Sequence, residues 1–145
     1  MKLANIFRNA LKPVAIIKYL FFPFMMANAA PVEVTCFVGA GETITAQTET
    51  PTTIWVGTSN GLYRINKNNH AVTHLTAANS VLPANHIIAL CTTPSGDVFA
   101  ATGKGLFHFD GYSYLALTSE NCNLPASGIT ALGCDAAGYL WVGTS

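Results

Sequence analysis

Three kinds of chemistry can be sought in this chain from residue type and spacing. Residues 57–61 read Gly-Thr-Ser-Asn-Gly, the G-x-S-x-G string in which a serine on a sharp strand-to-helix turn becomes a nucleophile. Here the same residues carry an Asn-Gly hairpin signal, so no helix follows to complete the elbow. His70 and His74 lie four apart, a metal-ligand spacing on a helix, but Asn66-Lys67-Asn68-Asn69 before them reads as a turn into a strand. Four residues along a strand span about 13 Å at ~3.3 Å per residue, too far to share one ion. His86 and His108 are isolated and read as ordinary surface or strand residues. Asp97, Asp110 and Asp135 all fall at turn positions, where aspartate accepts hydrogen bonds from nearby backbone, and no alternation of oxygen ligands describes a calcium loop. Gly39-Ala40-Gly41 and Gly103-Lys104-Gly105 lack the third glycine and helix of a dinucleotide loop. No catalytic residue, metal ligand or cofactor site is expected.

Binding chemistry remains. Asn60, Asn79, Asn85, Lys104, Asn121, Asn123 and Ser127 offer amides, a hydroxyl and one ammonium, groups suited to sugar hydroxyls, in segments rich in turn formers. Asn and Ser are also simply good loop residues. The elements that would position them follow from an internal repeat. WVGTS stands at residues 55–59 and again at 141–145, with FAATG midway at 99–103, so the spacings are 44 and 42. Residues 82–103 and 124–145 share eight identities in 22 positions.

Within one period four short runs, IIALCTT (87–93), VFAAT (98–102), LFHF (106–109) and YSYLALT (112–118), are rich in β-branched and aromatic residues and separated by Gly, Asp or Pro. Asn60-Gly61 and Asp110-Gly111 supply the positive φ of two-residue hairpins, and Gly96 and Gly138 close the first hairpin of their copies. Four antiparallel strands every 40–50 residues describe a propeller blade. Trp55, Phe99 and Trp141 occupy one position on the second strand of each copy, where a large ring is expected in the core between blades. The loops between blades, residues 77–86 and 119–128, would carry most of the polar candidates. The turns bearing Asn60 and Lys104 should open on the same face.

The chain has 145 residues with seven basic and seven acidic side chains, and only 10% of it is charged. That is too little cationic charge to neutralise a nucleic-acid backbone. Four of the basic residues lie within the first 18 positions, leaving Arg64, Lys67 and Lys104 against seven carboxylates, a net of minus four. The basic cluster, the apolar run YLFFPFMMA (19–27) and Ala27-Asn28-Ala29 have the layout of a secretory signal peptide over residues 1–29. Lys18 and Pro23 interrupt the stretch a membrane span would need. Export implies an oxidising compartment in which Cys36, Cys91, Cys122 and Cys134 can pair, with three full connectivities open. Residues 31–38 alternate Val32, Val34, Cys36 and Val38 with other residues, as in a half-buried strand. That strand is expected to be poorly paired here.

The run Leu124-Pro125-Ala126-Ser127-Gly128-Ile129-Thr130-Ala131-Leu132, then Asp135, Gly138 and Leu140-Trp141-Val142-Gly143-Thr144, resembles the two-component regulator propeller repeat. The earlier copies follow it through Trp55-Val56-Gly57-Thr58 with Gly61-Leu62, and Leu82-Pro83 with Gly96, Thr102 and Gly105-Leu106. Thr93 replaces the acidic residue and Ala101 the Gly in the second copy, and the first strand of the first copy is degenerate. The resemblance covers residues 42–145. It implies an all-β fold in which residues 30–145 form an incomplete propeller of about two and a half blades. It further implies the periplasmic sensor half of a bacterial two-component receptor, usually a hybrid histidine kinase, that reads an extracellular small ligand, often a carbohydrate. The remaining receptor, including a membrane-spanning segment, would lie downstream, and the full-length receptor could form a homodimer. The competing expectation is a piece of an exported propeller lyase or glycosidase whose active residues lie beyond Ser145.

Overall fold

The computed structural model describes residues 16–20, 33–124 and 128–145. They form twelve strands, and no helix occurs among them. The chain divides into two compact units, residues 1–42 and 43–145.

In the first unit β1 (Ile16–Leu20) pairs antiparallel with β2 (Glu33–Phe37), Ile16 facing Phe37 and Leu20 facing Glu33. The alternating stretch therefore forms a strand as expected, but a paired one. Ile16, Ile17 and Tyr19 are β-branched or aromatic, and they give the upstream segment enough strand preference to supply the partner. The cleavage pattern at residues 27–29 lies outside the described residues.

The second unit repeats one plan. β3 (Ile44–Glu49), β4 (Thr53–Thr58), β5 (Gly61–Asn66) and β6 (Val72–Leu75) form a four-stranded antiparallel sheet in sequence order. β7 (Ile87–Thr92), β8 (Val98–Thr102), β9 (Gly105–Phe109) and β10 (Tyr114–Leu117) form the second, and β11 (Ile129–Cys134) and β12 (Leu140–Thr144) pair as the first two strands of a third. The repetition extends to irregularities: the ladder slips after Ile44, Ile87 and Ile129, each two residues before an alanine. The degenerate first strand of the first copy thus forms with the same bulge as its relatives.

The second-to-third strand turn explains the Gly-Thr-x-x-Gly-Leu signature. Thr58 and Thr102 are fully buried. Each hydroxyl donates to a glycine carbonyl, Thr58 to Gly61 at 3.0 Å and Thr102 to Gly105 at 2.9 Å, and accepts from the backbone N–H of Asn60 or Lys104. Gly61 pairs with Thr58, so the two turn residues are Ser59 and Asn60, and the positive φ belongs to Gly61 alone, at 135°. A Cβ on Gly61 or Gly105 would lie 2.5 Å from the carbonyl oxygen of Leu75 or Leu117 on the fourth strand.

The core lies between the first two sheets. Trp55, Leu62, Leu75, Leu82, Ile87, Val98, Ala100, Phe107 and Phe109 form one buried cluster. Trp55 packs at 5.3 Å and 6.3 Å from the rings of Phe109 and Phe107 on the neighbouring sheet's third strand. Arg64, opposite Trp55 in the ladder, lays its guanidinium 4.7 Å from the Phe109 ring and donates to the Tyr114 hydroxyl at 3.0 Å. The expectation of a buried ring holds for Trp55 but not for its counterparts. Phe99 is half-buried and stacks on His108 at 4.4 Å within its own sheet, and Trp141 is 65% exposed. The difference has a physical source: Trp55 is covered by third-strand aromatics of the next sheet, and no described strand does this for Trp141.

Candidate functional site

Each sheet alternates direction, so its loops divide between two ends. The turns β4–β5 and β8–β9 share an end with the loops β6–β7 and β10–β11, as the side chains confirm: Asn85 Nδ2 donates to Asn60 Oδ1 at 3.3 Å. This is the face the sequence assigns to contact residues, and Asn60 and Asn85 do meet on it. Asn60 is further tied to its own sheet, its carbonyl lying 3.1 Å from His74 Nε2, while the His74 ring stacks on Tyr63 at 4.1 Å.

Several of the amides on this face hold the loops together. Asn79 accepts from Thr76 N–H at 2.7 Å and donates to the His74 carbonyl at 3.0 Å. Asn121, one period later, does the same with Thr118 N–H at 2.8 Å and the Ala116 carbonyl at 2.7 Å. Asn85 Oδ1 accepts from Ala77 N–H at 2.8 Å. Closing the turn uses one of the two N–H donors and one of the two oxygen lone pairs of each of these amides. Lys104 and Asn123 are exposed, and Ser127 lies outside the described residues.

At the opposite end the three first hairpins converge on an open depression of about 410 Å³ lined by Glu49, Thr50, Pro51, Thr92, Thr93, Pro94, Gly96, Cys134, Asp135 and Ala136. Its polar groups are internally engaged. Glu49 pairs with Lys67 at 2.6 Å, and Lys67 also donates to the Thr50 carbonyl at 2.7 Å. Thr50, Thr93 and Asp135 occupy one repeat position, and each accepts from a backbone N–H across its turn: Thr53 at 3.1 Å, Asp97 at 3.1 Å and Tyr139 at 2.9 Å. Threonine therefore substitutes for the acidic residue without opening the turn. Only aspartate has a second oxygen, and Asp135 Oδ2 accepts from Trp141 Nε1 at 2.9 Å. That bond, then the Tyr139 N–H, lowers the Asp135 pKa. Trp55, whose turn carries Thr50, has an indole N–H without a hydrogen-bond partner among the described residues. Asp135 thus has the local role read from sequence, and so has Asp110, whereas the Asp97 carboxylate lies 3.7 Å from His108 Nε2. Asp110 accepts from the Ser113 N–H, then the Tyr112 N–H and the Ser113 hydroxyl, which lowers its pKa to about 2.

The feature that sequence left open joins the first strands. Cys91 on β7 and Cys134 on β11 form a disulfide, Cα atoms 5.9 Å apart, and Cys122 is a free thiol. One period earlier, Thr48 and Thr92 stand in the corresponding places on β3 and β7, their hydroxyls 2.7 Å apart. The ladders fix the correspondence, since Thr48 faces Trp55 as Cys91 faces Phe99, and Thr92 faces Val98 as Cys134 faces Leu140. Among the described residues no cluster of three His, Cys, Asp or Glu side chains could hold a metal ion.

Residues 123–145 match the family described as two component regulator propeller. That match covers the β11–β12 hairpin. The two preceding sheets share its strand order, bulge and turn chemistry, and the fold is two propeller blades with the first two strands of a third. No curated protein matches the chain. Among solved structures it is similar to the extracellular domain of Bacteroides thetaiotaomicron BT4673, described in one determination as a one component system and in another as a hybrid two component system. The TM-scores are 0.57 and 0.55 at 20% and 21% identity, over 70% of this chain. The propeller segment spans 14% of the length of those structures.

Proposed function

We propose that this chain is a ligand-sensing propeller segment of the exported region of a two-component receptor. The observation that carries the reading is the match of residues 123–145 to the two component regulator propeller repeat, in a chain whose earlier blades follow the same plan. The similarity in fold to extracellular domains of such systems supports it. Two of the turn carboxylates, Asp110 and Asp135, are committed to backbone or indole donors, which favours binding over catalysis.

The ligand is a small extracellular molecule, an oligosaccharide by the polarity of the loops, met on the face that carries Asn60, Lys104 and Asn123. Asn79, Asn85 and Asn121 shape that face through their loop hydrogen bonds. A periplasmic location, a membrane connection through the rest of the receptor and receptor dimerisation belong to the same reading. The test is glycan-array screening followed by calorimetry on the whole exported region. Lys104→Ala and Asn123→Ala are expected to weaken binding of the captured glycan at least about tenfold, the effect of one or two lost hydrogen bonds. Unchanged affinity in both variants removes the loop assignment, and turnover of the glycan removes the sensor reading.

A further inference from the structure

Asn60-Gly61 is the only Asn-Gly pair in the chain, and the fold commits the glycine to its place. A Cβ on Gly61 would lie 2.5 Å from the Leu75 carbonyl oxygen and 2.6 Å from His74 Nε2. Asn60 is exposed in the β4–β5 turn, and both of its oxygens accept hydrogen bonds whose direction the neighbours fix. A carbonyl oxygen can only accept, so His74 Nε2, 3.1 Å from the Asn60 carbonyl, carries the proton and donates it. Stacking on Tyr63 holds the His74 ring in that position. Asn85 Oδ1 accepts from Ala77 N–H, which makes Asn85 Nδ2 the donor to Asn60 Oδ1 at 3.3 Å.

These two donors stand where negative charge would develop if the Gly61 nitrogen attacked Asn60 Cγ. Loss of the Gly61 amide proton puts charge on the Asn60 carbonyl oxygen, which faces His74. Addition to Cγ puts charge on Oδ1, which faces Asn85. Donors already in place at both oxygens lower the barrier as those of an oxyanion hole do. The second copy of the turn lacks the device: Lys104 precedes Gly105, and Ala116 pairs with Phe107 where His74 pairs with Tyr63.

We propose that Asn60 is a site of self-modification, converted in the folded chain to aspartate and isoaspartate. The Gly61 nitrogen gives its proton to water and bonds to Asn60 Cγ. The Cγ–Nδ2 bond then breaks, and Nδ2 takes up a proton and leaves as ammonia, which closes a five-membered imide. Water opens the imide at one of its two carbonyl carbons. Release of the Gly61 nitrogen from Cγ gives aspartate, and its release from the main-chain carbonyl carbon gives isoaspartate, whose backbone is longer by one carbon. One water is consumed and one ammonia released, with no oxidant or reductant. Either product sets a carboxylate at the contact between the first two blades, and isoaspartate also lengthens the turn that Thr58 closes on Gly61. The inference rests on the hydrogen bonds of this turn and holds whatever ligand the propeller binds.

The test incubates the full chain at mildly alkaline pH in native buffer and, in parallel, in concentrated guanidinium chloride. Mass spectrometry follows the Asn60 peptide, with chromatographic separation of the two products. Faster conversion in the folded chain than in denaturant, with the other asparagines unchanged, is the expected result. His74→Phe keeps a ring against Tyr63 without the donor, and Asn85→Asp keeps the acceptor for Ala77 without the donor to Asn60. Each should slow the folded chain at least about tenfold, the effect of one lost hydrogen bond to a developing anion, and leave the rate in denaturant as it is. Lys104→Asn, which writes Asn-Gly into the same turn of blade two, should convert more slowly than Asn60 by a similar factor. An Asn60 that converts no faster in the folded chain than in denaturant overturns the proposal. So do donor variants that convert at the parent rate, or conversion in the second blade as fast as in the first.

Discussion

At the scale of single residues, one side-chain oxygen at the start of each first hairpin decides whether the turn closes. Thr50, Thr93 and Asp135 all supply it, so the choice between threonine and aspartate affects what else is held and leaves the turn itself intact. The turns between third and fourth strands use the same device through Asn66, which accepts from Asn68 and Asn69 N–H, and through Asp110. For Asp110 this has a pH consequence. Its folded pKa of about 2 lies below the ordinary 3.8, so its contribution is complete above the unfolded value and is lost as pH falls through the folded one. The Tyr112 and Ser113 amide resonances are therefore expected to titrate together with a midpoint of about 2. In Asp110→Asn the titration should vanish, as an NMR pH series would show.

At the scale of elements, successive first strands are related closely enough that a pair seen at one joint can be transplanted to the other. Thr48 and Thr92 occupy the places of Cys91 and Cys134. The Thr48→Cys/Thr92→Cys variant should therefore form a second disulfide during oxidative folding, detectable by mass spectrometry. By the chain-entropy account it should raise stability by about 2–4 kcal/mol. Much at this scale was legible in the sequence. The 44- and 42-residue spacings place β3 to β12 in order, and Gly61, Gly96, Gly105, Gly111 and Gly138 mark turns that take positive φ. The disulfide was not legible, because its partners occupy adjacent, non-identical repeat positions and only the stagger between neighbouring strands brings them together. Nor could composition tell that Asn79 and Asn121 use their amides on His74, Thr76, Ala116 and Thr118. An asparagine that binds a ligand and one that closes a loop look alike in sequence.

At the scale of the whole molecule, burial among the described residues is uneven along the repeat. The same residue type at the same blade position is fully buried at Trp55 and 65% exposed at Trp141. Trp55→Ala is expected to cost about 3–5 kcal/mol, the range for removing a buried aromatic. Trp141→Ala should cost about 1 kcal/mol or less, chiefly through the Asp135 hydrogen bond. Urea denaturation of the two variants side by side measures the contrast, and equal losses would contradict the packing described.

The disulfide also carries a mechanical consequence. Its partners are 43 residues apart in sequence and 5.9 Å apart in space, so one full period of chain sits inside a covalent loop. A pull transmitted along the polypeptide crosses from β7 to β11 through the sulfurs and bypasses everything between. The enclosed segment, worth roughly 150 Å of extended contour at ~3.6 Å per residue, cannot be drawn out while the bond is intact. Tension applied across the oxidised chain therefore leaves β8, β9 and β10 outside the load path, and the third hairpin and β7 move as one tethered piece.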